Sequence, residues 1–136
     1  ILYIYTISIS IIKKTMLEKI CTDLETSKKL KELGFNDSES EFVYWKGKPK
    51  YYHNLPFYEV DKIQDLISCF TFEQIVNELP QMIEINNNIY HLMISKNSIY
   101  YFSHSRLEIF MNYQESNLSI SAAKLWIKLK EDKIIT

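Results

Sequence analysis

The chain reads as an α+β protein: a single domain in which an antiparallel sheet, built from a hairpin and a meander, carries about three helices on one face. Three observations predict this. Two segments open on capping-box spacing and close on a helix-stopping Gly34 or Pro80. Residues 41–53 and 89–114 are rich in aromatic and β-branched side chains, and the last of these runs alternates apolar with polar, as a strand with one buried face does. The order helix, hairpin, helix, meander, helix lacks the regular alternation of parallel βαβ units, which places the helices against an antiparallel sheet.

Ile1 to Ile12 is an apolar, Ile- and Tyr-rich run ended by Lys13 and Lys14. It falls short of the roughly 20 apolar residues a membrane span needs. Its positive charge follows the apolar segment, the reverse of a signal peptide. Met16 stands directly before Leu-Glu-Lys-Ile and the first helix, so residues 1–15 read as a non-native or disordered extension and 16–136 as the domain. Read-through of an AT-rich upstream region accounts for such a composition; the alternation from Ile7 to Ile11 also suits an edge strand.

The first helix is specified at both ends. Thr22 and Glu25 have the spacing at which each side chain satisfies a backbone N–H near the other. Gly34 stands where a left-handed residue is wanted, and Phe35 is placed to close back on Leu30 in a Schellman ending. Asn36 to Ser40 is a polar loop. Glu41 to Trp45 then reads as a strand, Lys46-Gly47-Lys48-Pro49 as a turn and Lys50 to His53 as the partner strand. Asn54 to Tyr58 is irregular, and Val60 to Ser68 suits a short helical turn using Ile63, Leu66 and Ile67.

A firmer helix follows. Thr71 and Gln74 repeat the capping-box spacing, with Phe70 and Ile75 placed as a hydrophobic staple. Phe72, Ile75, Val76 and Leu79 fall on one helical face before Pro80. Ile89 to Ser95 and Ser98 to Phe102 read as strands joined at Lys96-Asn97. In a third strand Leu107, Ile109, Met111 and Tyr113 alternate with Glu108, Asn112 and Gln114. The last helix begins near Asn117 and lines one side with Leu118, Ala122, Leu125, Trp126 and Leu129.

The composition narrows the chemistry. A chain of 136 residues with a net charge of −1 has no global field to concentrate a polyanion or hold a membrane surface. Its two glycines, Gly34 and Gly47, are too few and too far apart for a phosphate-cradling loop. Cys21 and Cys69 are distant in sequence and neither joins another Cys or His at metal-ligand spacing, so reduced thiols in a cytoplasmic protein, with no cofactor, are expected.

Each candidate for chemistry has a plainer account beside it. Cys21 stands before a helix whose dipole lowers a thiol pKa, yet a nucleophile also needs a base and an orienting group, and no His is near it in sequence. His91 and His104 can approach across the meander and, with Glu108, offer a metal set, although histidines on a half-exposed sheet are far commoner. Glu39 and Glu41, like Asp61 and Asp65, read as solvated acids. Lys46, Lys48 and Lys50 with Trp45, Tyr51 and Tyr52 form the one basic and aromatic cluster: lysines neutralise phosphates and rings stack on unpaired bases. Lysines on a strand edge also block edge-to-edge aggregation. Trp126 reads as a core anchor, or else as the hot spot of a dimer.

Four stretches, Cys21 to Phe35, Ser40 to Trp45, Thr71 to Pro80 and Asn117 to Leu129, resemble a group of short uncharacterised phage and prophage proteins of gut bacteria. That group opens on a Cys-x-x-Glu-x-Ser-Lys-Lys-Leu-Lys-Glu-Leu-Gly pattern and closes on a Trp-Ile-x-Leu helix, and the likeness runs from Met16 onward. Leu118 stands where the group has a helix-starting proline, and Ile120 where it has an acid. The resemblance implies an origin in a mobile element and expression in the host cytoplasm, and it brings no activity.

The function expected is that of an accessory module binding a host or phage macromolecule, without catalysis and without a membrane partner. The first alternative is a single-stranded nucleic-acid-binding module using the Lys46–Lys50 hairpin. The second is a small enzyme with a Cys21/His site, and the third a subunit dimerising through the Trp126 helix.

Overall fold

The computed structural model describes residues 17–38, 40–56 and 66–136. The expectations for residues 1–15 and the start at Met16, for Glu39, Asp61 and Asp65, and for most of the helical turn at 60–68 lie outside the described residues.

The architecture is mixed α+β with two antiparallel sheets rather than one. Strands β1 (Phe42–Trp45), β2 (Lys48–Tyr51) and β3 (Ile67–Cys69) form a three-stranded sheet in the order β2-β1-β3. Strands β4 (Met82–Ile85), β5 (Asn88–Ile94), β6 (Ile99–Ser103) and β7 (Glu108–Tyr113) form a four-stranded meander in sequence order. Helices α1 (Leu24–Glu32), α2 (Phe72–Val76) and α3 (Leu118–Glu131) stand around them, with a helical turn at residues 17–20. Among the described residues no helix is long and apolar enough to cross a membrane.

Helix α1 ends as expected and starts one residue later. Gly34 takes φ 81°, its N–H reaches the Lys31 carbonyl at 3.1 Å, and the Phe35 N–H reaches that of Leu30 at 3.0 Å. Those are the two bonds of a Schellman ending. At the other end the cap is Asp23, whose carboxylate accepts from the Thr26 N–H at 2.8 Å, and not Thr22. Thr22 is buried and occupied elsewhere: its N–H donates to the Phe70 carbonyl, and its hydroxyl accepts from the Phe70 N–H. A cross-chain tie has displaced the local cap.

The first hairpin turns on two residues, Lys46 and Gly47, both at positive φ (51° and 83°). That is a type I′ turn, whose twist matches the strands it joins. Lys48 and Pro49, read as turn residues, therefore belong to β2, where Pro49 opposes Tyr44. Proline is tolerated because β2 is an edge strand and loses no ladder bond on its open side. The returning strand ends at Tyr51, and Tyr52–Asn54 is a single 3-10 turn rather than strand. Ile67 and Ser68, the end of the helical turn expected over 60–68, instead pair with β1 and form β3 together with Cys69.

Helix α2 carries both parts of its capping box, Thr71 to the Gln74 N–H and Gln74 back to the Thr71 N–H. Phe70 and Ile75 are both buried in the main core. Helix α3 starts at Asn117, whose side chain accepts from the Ser119 N–H at 2.7 Å, and buries Ala122, Leu125, Trp126 and Leu129. These residues meet Leu30, Phe35, Ile75, Ile83, Tyr90, Ile99 and Tyr101 in one cluster, so all three helices contribute to the core on the inner face of the four-stranded sheet.

Two features of this sheet were not anticipated. Strand β4 was missed; it returns through Asn86 and Asn87, both at positive φ, into β5. Strand β7 also breaks its expected alternation. Phe110 opposes Tyr101 and Tyr113 opposes Ile99, so Met111 and Asn112 together face the single Tyr100. Met111, at φ 54°, marks this β-bulge. The extra residue reverses the phase of the strand. Ile109 falls opposite Phe102 on the outer face, while Phe110, Met111 and Tyr113 pack on the core. Leu107 lies in the preceding turn and is exposed.

Candidate functional site

The hairpin cluster divides on folding. Lys48 and Lys50 stand opposite Trp45 and Val43 across β1–β2, and all three lysines are exposed. Trp45 is only 5% exposed and belongs to a small second core with Val43, Leu55 and Leu66. The Lys46 ammonium lies 5.7 Å from the centroid of its ring. Tyr51 is half-buried, its ring 5.9 Å from Phe42 and 5.1 Å from His53, and Tyr52 is the exposed ring. Of the six residues, the three lysines and Tyr52 are thus exposed, while Trp45 is buried with the Lys46 ammonium over it rather than open for stacking. Leu24, Tyr44, Trp45, Lys46, Gly47, Leu66 and Ile67 line a shallow groove of about 280 Å³ beside it.

The structure does bring His91 and His104 together, with ring centroids 5.6 Å apart and Phe102 packed on His104 at 5.0 Å. Glu108 points elsewhere: its carboxylate accepts from the Tyr90 hydroxyl and sits 3.5 Å from Arg106. Among the described residues no three His, Cys, Asp or Glu side chains gather as a metal set. Cys21 and Cys69 are both buried, and the group that perturbs the Cys21 thiol is Cys69 rather than a histidine.

The least expected surface is the outer face of the meander. Met82 opposes His91, His91 opposes Phe102, and Phe102 opposes Ile109, a single cross-strand row over all four strands. Ile89 beside Glu84, and Met93 beside Tyr100, extend it on both sides. The helices pack on the opposite face, so Met82 remains 56% exposed, Ile109 54% and the adjoining Leu107 80%. A solvated face of an antiparallel sheet ordinarily alternates to polar side chains. Here Met82, Ile89, Met93, Phe102 and Ile109 share it with His91, Glu84 and Tyr100, and each exposed apolar group forfeits about 25 cal/mol for every Å² left in water.

Two features of the sequence hide this surface. Met82 lies on β4, whose turn carries no glycine, and the alternation of residues 107–113 puts Ile109 on the core side until the bulge reverses it. The signal present in the sequence was the unbroken apolar run Ile99 to Phe102, since a strand of a meander that is apolar at every position must be apolar on both faces.

Comparison of the chain with family models, with curated proteins and with solved structures finds no match.

Proposed function

We propose that the protein is a small accessory binding protein of phage or prophage origin, which acts in the host cytoplasm by surface contact with a host or phage protein and without catalysis. One observation carries the reading: the row in which Met82, Phe102 and Ile109 flank His91 on the sheet face turned away from the helices. Contiguous exposed apolar groups of this kind mark sites of protein association. The partner class follows from charge. The row carries no lysine or arginine, and the chain has a net charge of −1, so a protein surface suits this face better than a polyanion. The phage origin is supported by the resemblance of the stretches at Cys21–Phe35, Ser40–Trp45, Thr71–Pro80 and Asn117–Leu129.

The test is comparative affinity capture from host cells with three forms of the chain: wild type, a Met82→Glu/Ile109→Glu variant, and a Lys46→Ala/Lys48→Ala/Lys50→Ala variant. A protein retained by the wild type and by the lysine variant, but weakened at least about tenfold by the two glutamates, is expected. Loss only in the lysine variant, together with salt-sensitive recovery of nucleic acid, transfers the function to the hairpin.

A further inference from the structure

His91 and His104 are two of the chain's three histidines, and folding sets them side by side on the outer face of the meander. His91 lies in the middle of β5 and directly opposes Phe102 of β6. His104 follows Ser103, the last residue of β6, two positions beyond Phe102, so it stands diagonal to His91 across the ladder. Its ring packs edge-on against Phe102 at 5.0 Å and meets the His91 ring with 5.6 Å between centroids. The turn that carries it is tied down, because the buried Ser103 hydroxyl accepts from the Arg106 N–H at 3.3 Å. His104 is exposed and His91 half-buried, so both imidazoles are open to solvent.

We propose that His91 and His104 form a bidentate surface site for a zinc ion, each supplying one imidazole nitrogen and water filling the other positions. Zinc takes imidazole nitrogens at about 2.0–2.1 Å in tetrahedral geometry, which sets the centroids of two rings on one ion about 5 Å apart. The observed separation of 5.6 Å lies within a small side-chain adjustment of that value, and the exposed His104 ring has the room to make it. Each ring turns about its own metal–nitrogen bond, so the 60° between the two planes is compatible with one shared ion. The sheet holds the second imidazole beside the first, which makes its capture of the ion an intramolecular step at high effective concentration.

The surroundings suit this class of ion. Imidazole nitrogen selects zinc and its late transition-metal neighbours, whereas magnesium and calcium require oxygen ligands. The charges nearby do not oppose a cation. Glu84, paired with Ile89, lies on the same face and diagonal to His91, and Arg106 in the adjoining turn is paired with Glu108 at 3.5 Å. Glu108 itself is not needed, since two rings already chelate. The site depends only on these two histidines and not on what the face docks to.

The full-length chain, its thiols kept reduced by a phosphine, is titrated with zinc chloride while the imidazole resonances of its three histidines are followed by NMR. Those of His91 and His104 are expected to move together and to saturate at one zinc per chain. His53, in the 3-10 turn after β2, should stay unmoved, and magnesium chloride should move none of them. By calorimetry His91→Ala and His104→Ala should each weaken zinc binding on the order of a hundredfold, the double variant little further, and His53→Ala not at all. Movement of one ring alone, no movement in excess zinc, or single variants within about threefold of the wild type overturns the site. The wild-type NMR titration decides it even if a variant does not fold.

Discussion

At single residues the fold shows where a polar group was needed by a distant part of the chain. Thr22 has the spacing of a helix cap, but its hydroxyl serves Phe70 and the cap falls to Asp23. Sequence spacing records the local option and not the competing bond across 48 positions. Tyrosines behave similarly. The Tyr44 hydroxyl donates to the Thr22 carbonyl and the Tyr101 hydroxyl to the Pro80 carbonyl, each at 2.7 Å. Burial pushes both phenols above their ordinary range, and for Tyr44 the neighbouring Cys69, Asp23, Cys21 and Glu18 add to it. A folded-state pKa raised above the unfolded one favours the native state below the unfolded pKa, and that contribution disappears as pH rises toward the folded value. The melting temperature is therefore expected to hold steady to about pH 9 and to fall above about pH 10. Tyr44→Phe should lose about 1 kcal/mol at neutral pH and show a shallower alkaline decline, read by thermal melts across the alkaline range.

Elements whose ends are set by side chains close in sequence were legible; those set by pairing were not. The Schellman ending at Gly34, the capping box of Thr71 and Gln74 and the buried stripe of α3 all follow from spacing within a few residues. Strand β3 was missed because its identity comes from pairing with β1, and β4 because its turn, Asn86-Asn87, lies in an asparagine run without the glycine that usually marks a hairpin. The outer apolar face remained hidden because one inserted residue, Met111, moves Ile109 from one side of the sheet to the other. Such a phase change leaves no mark in composition. The second hairpin turn offers a direct check. Asn87 holds φ 66°, which glycine adopts without strain, so Asn87→Gly should gain about 0.5 kcal/mol in urea denaturation. A loss there would contradict the turn assignment.

For the molecule as a whole, Trp126 joins layers that the sequence could only place side by side. Its indole meets the Phe35 ring edge-on at 4.9 Å, and Phe35 meets Phe70 at 4.7 Å, so α3, the end of α1 and the start of α2 share one aromatic contact. Being buried, Trp126 is an anchor of this core and not a surface for a second copy. Trp126→Ala is expected to cost about 3–5 kcal/mol in denaturant melts, with light scattering at low denaturant unchanged from wild type. The same long reach has a consequence during synthesis. The carbonyl of Cys21 waits for a donor 96 residues further along, at Asn117. With translation running at about 5–20 residues per second, that wait is on the order of ten seconds. Throughout it the early segment on the ribosome has unfilled acceptors and an uncovered thiol, so a nascent chain stalled before Asn117 should be readily labelled at Cys21, and a released one shielded.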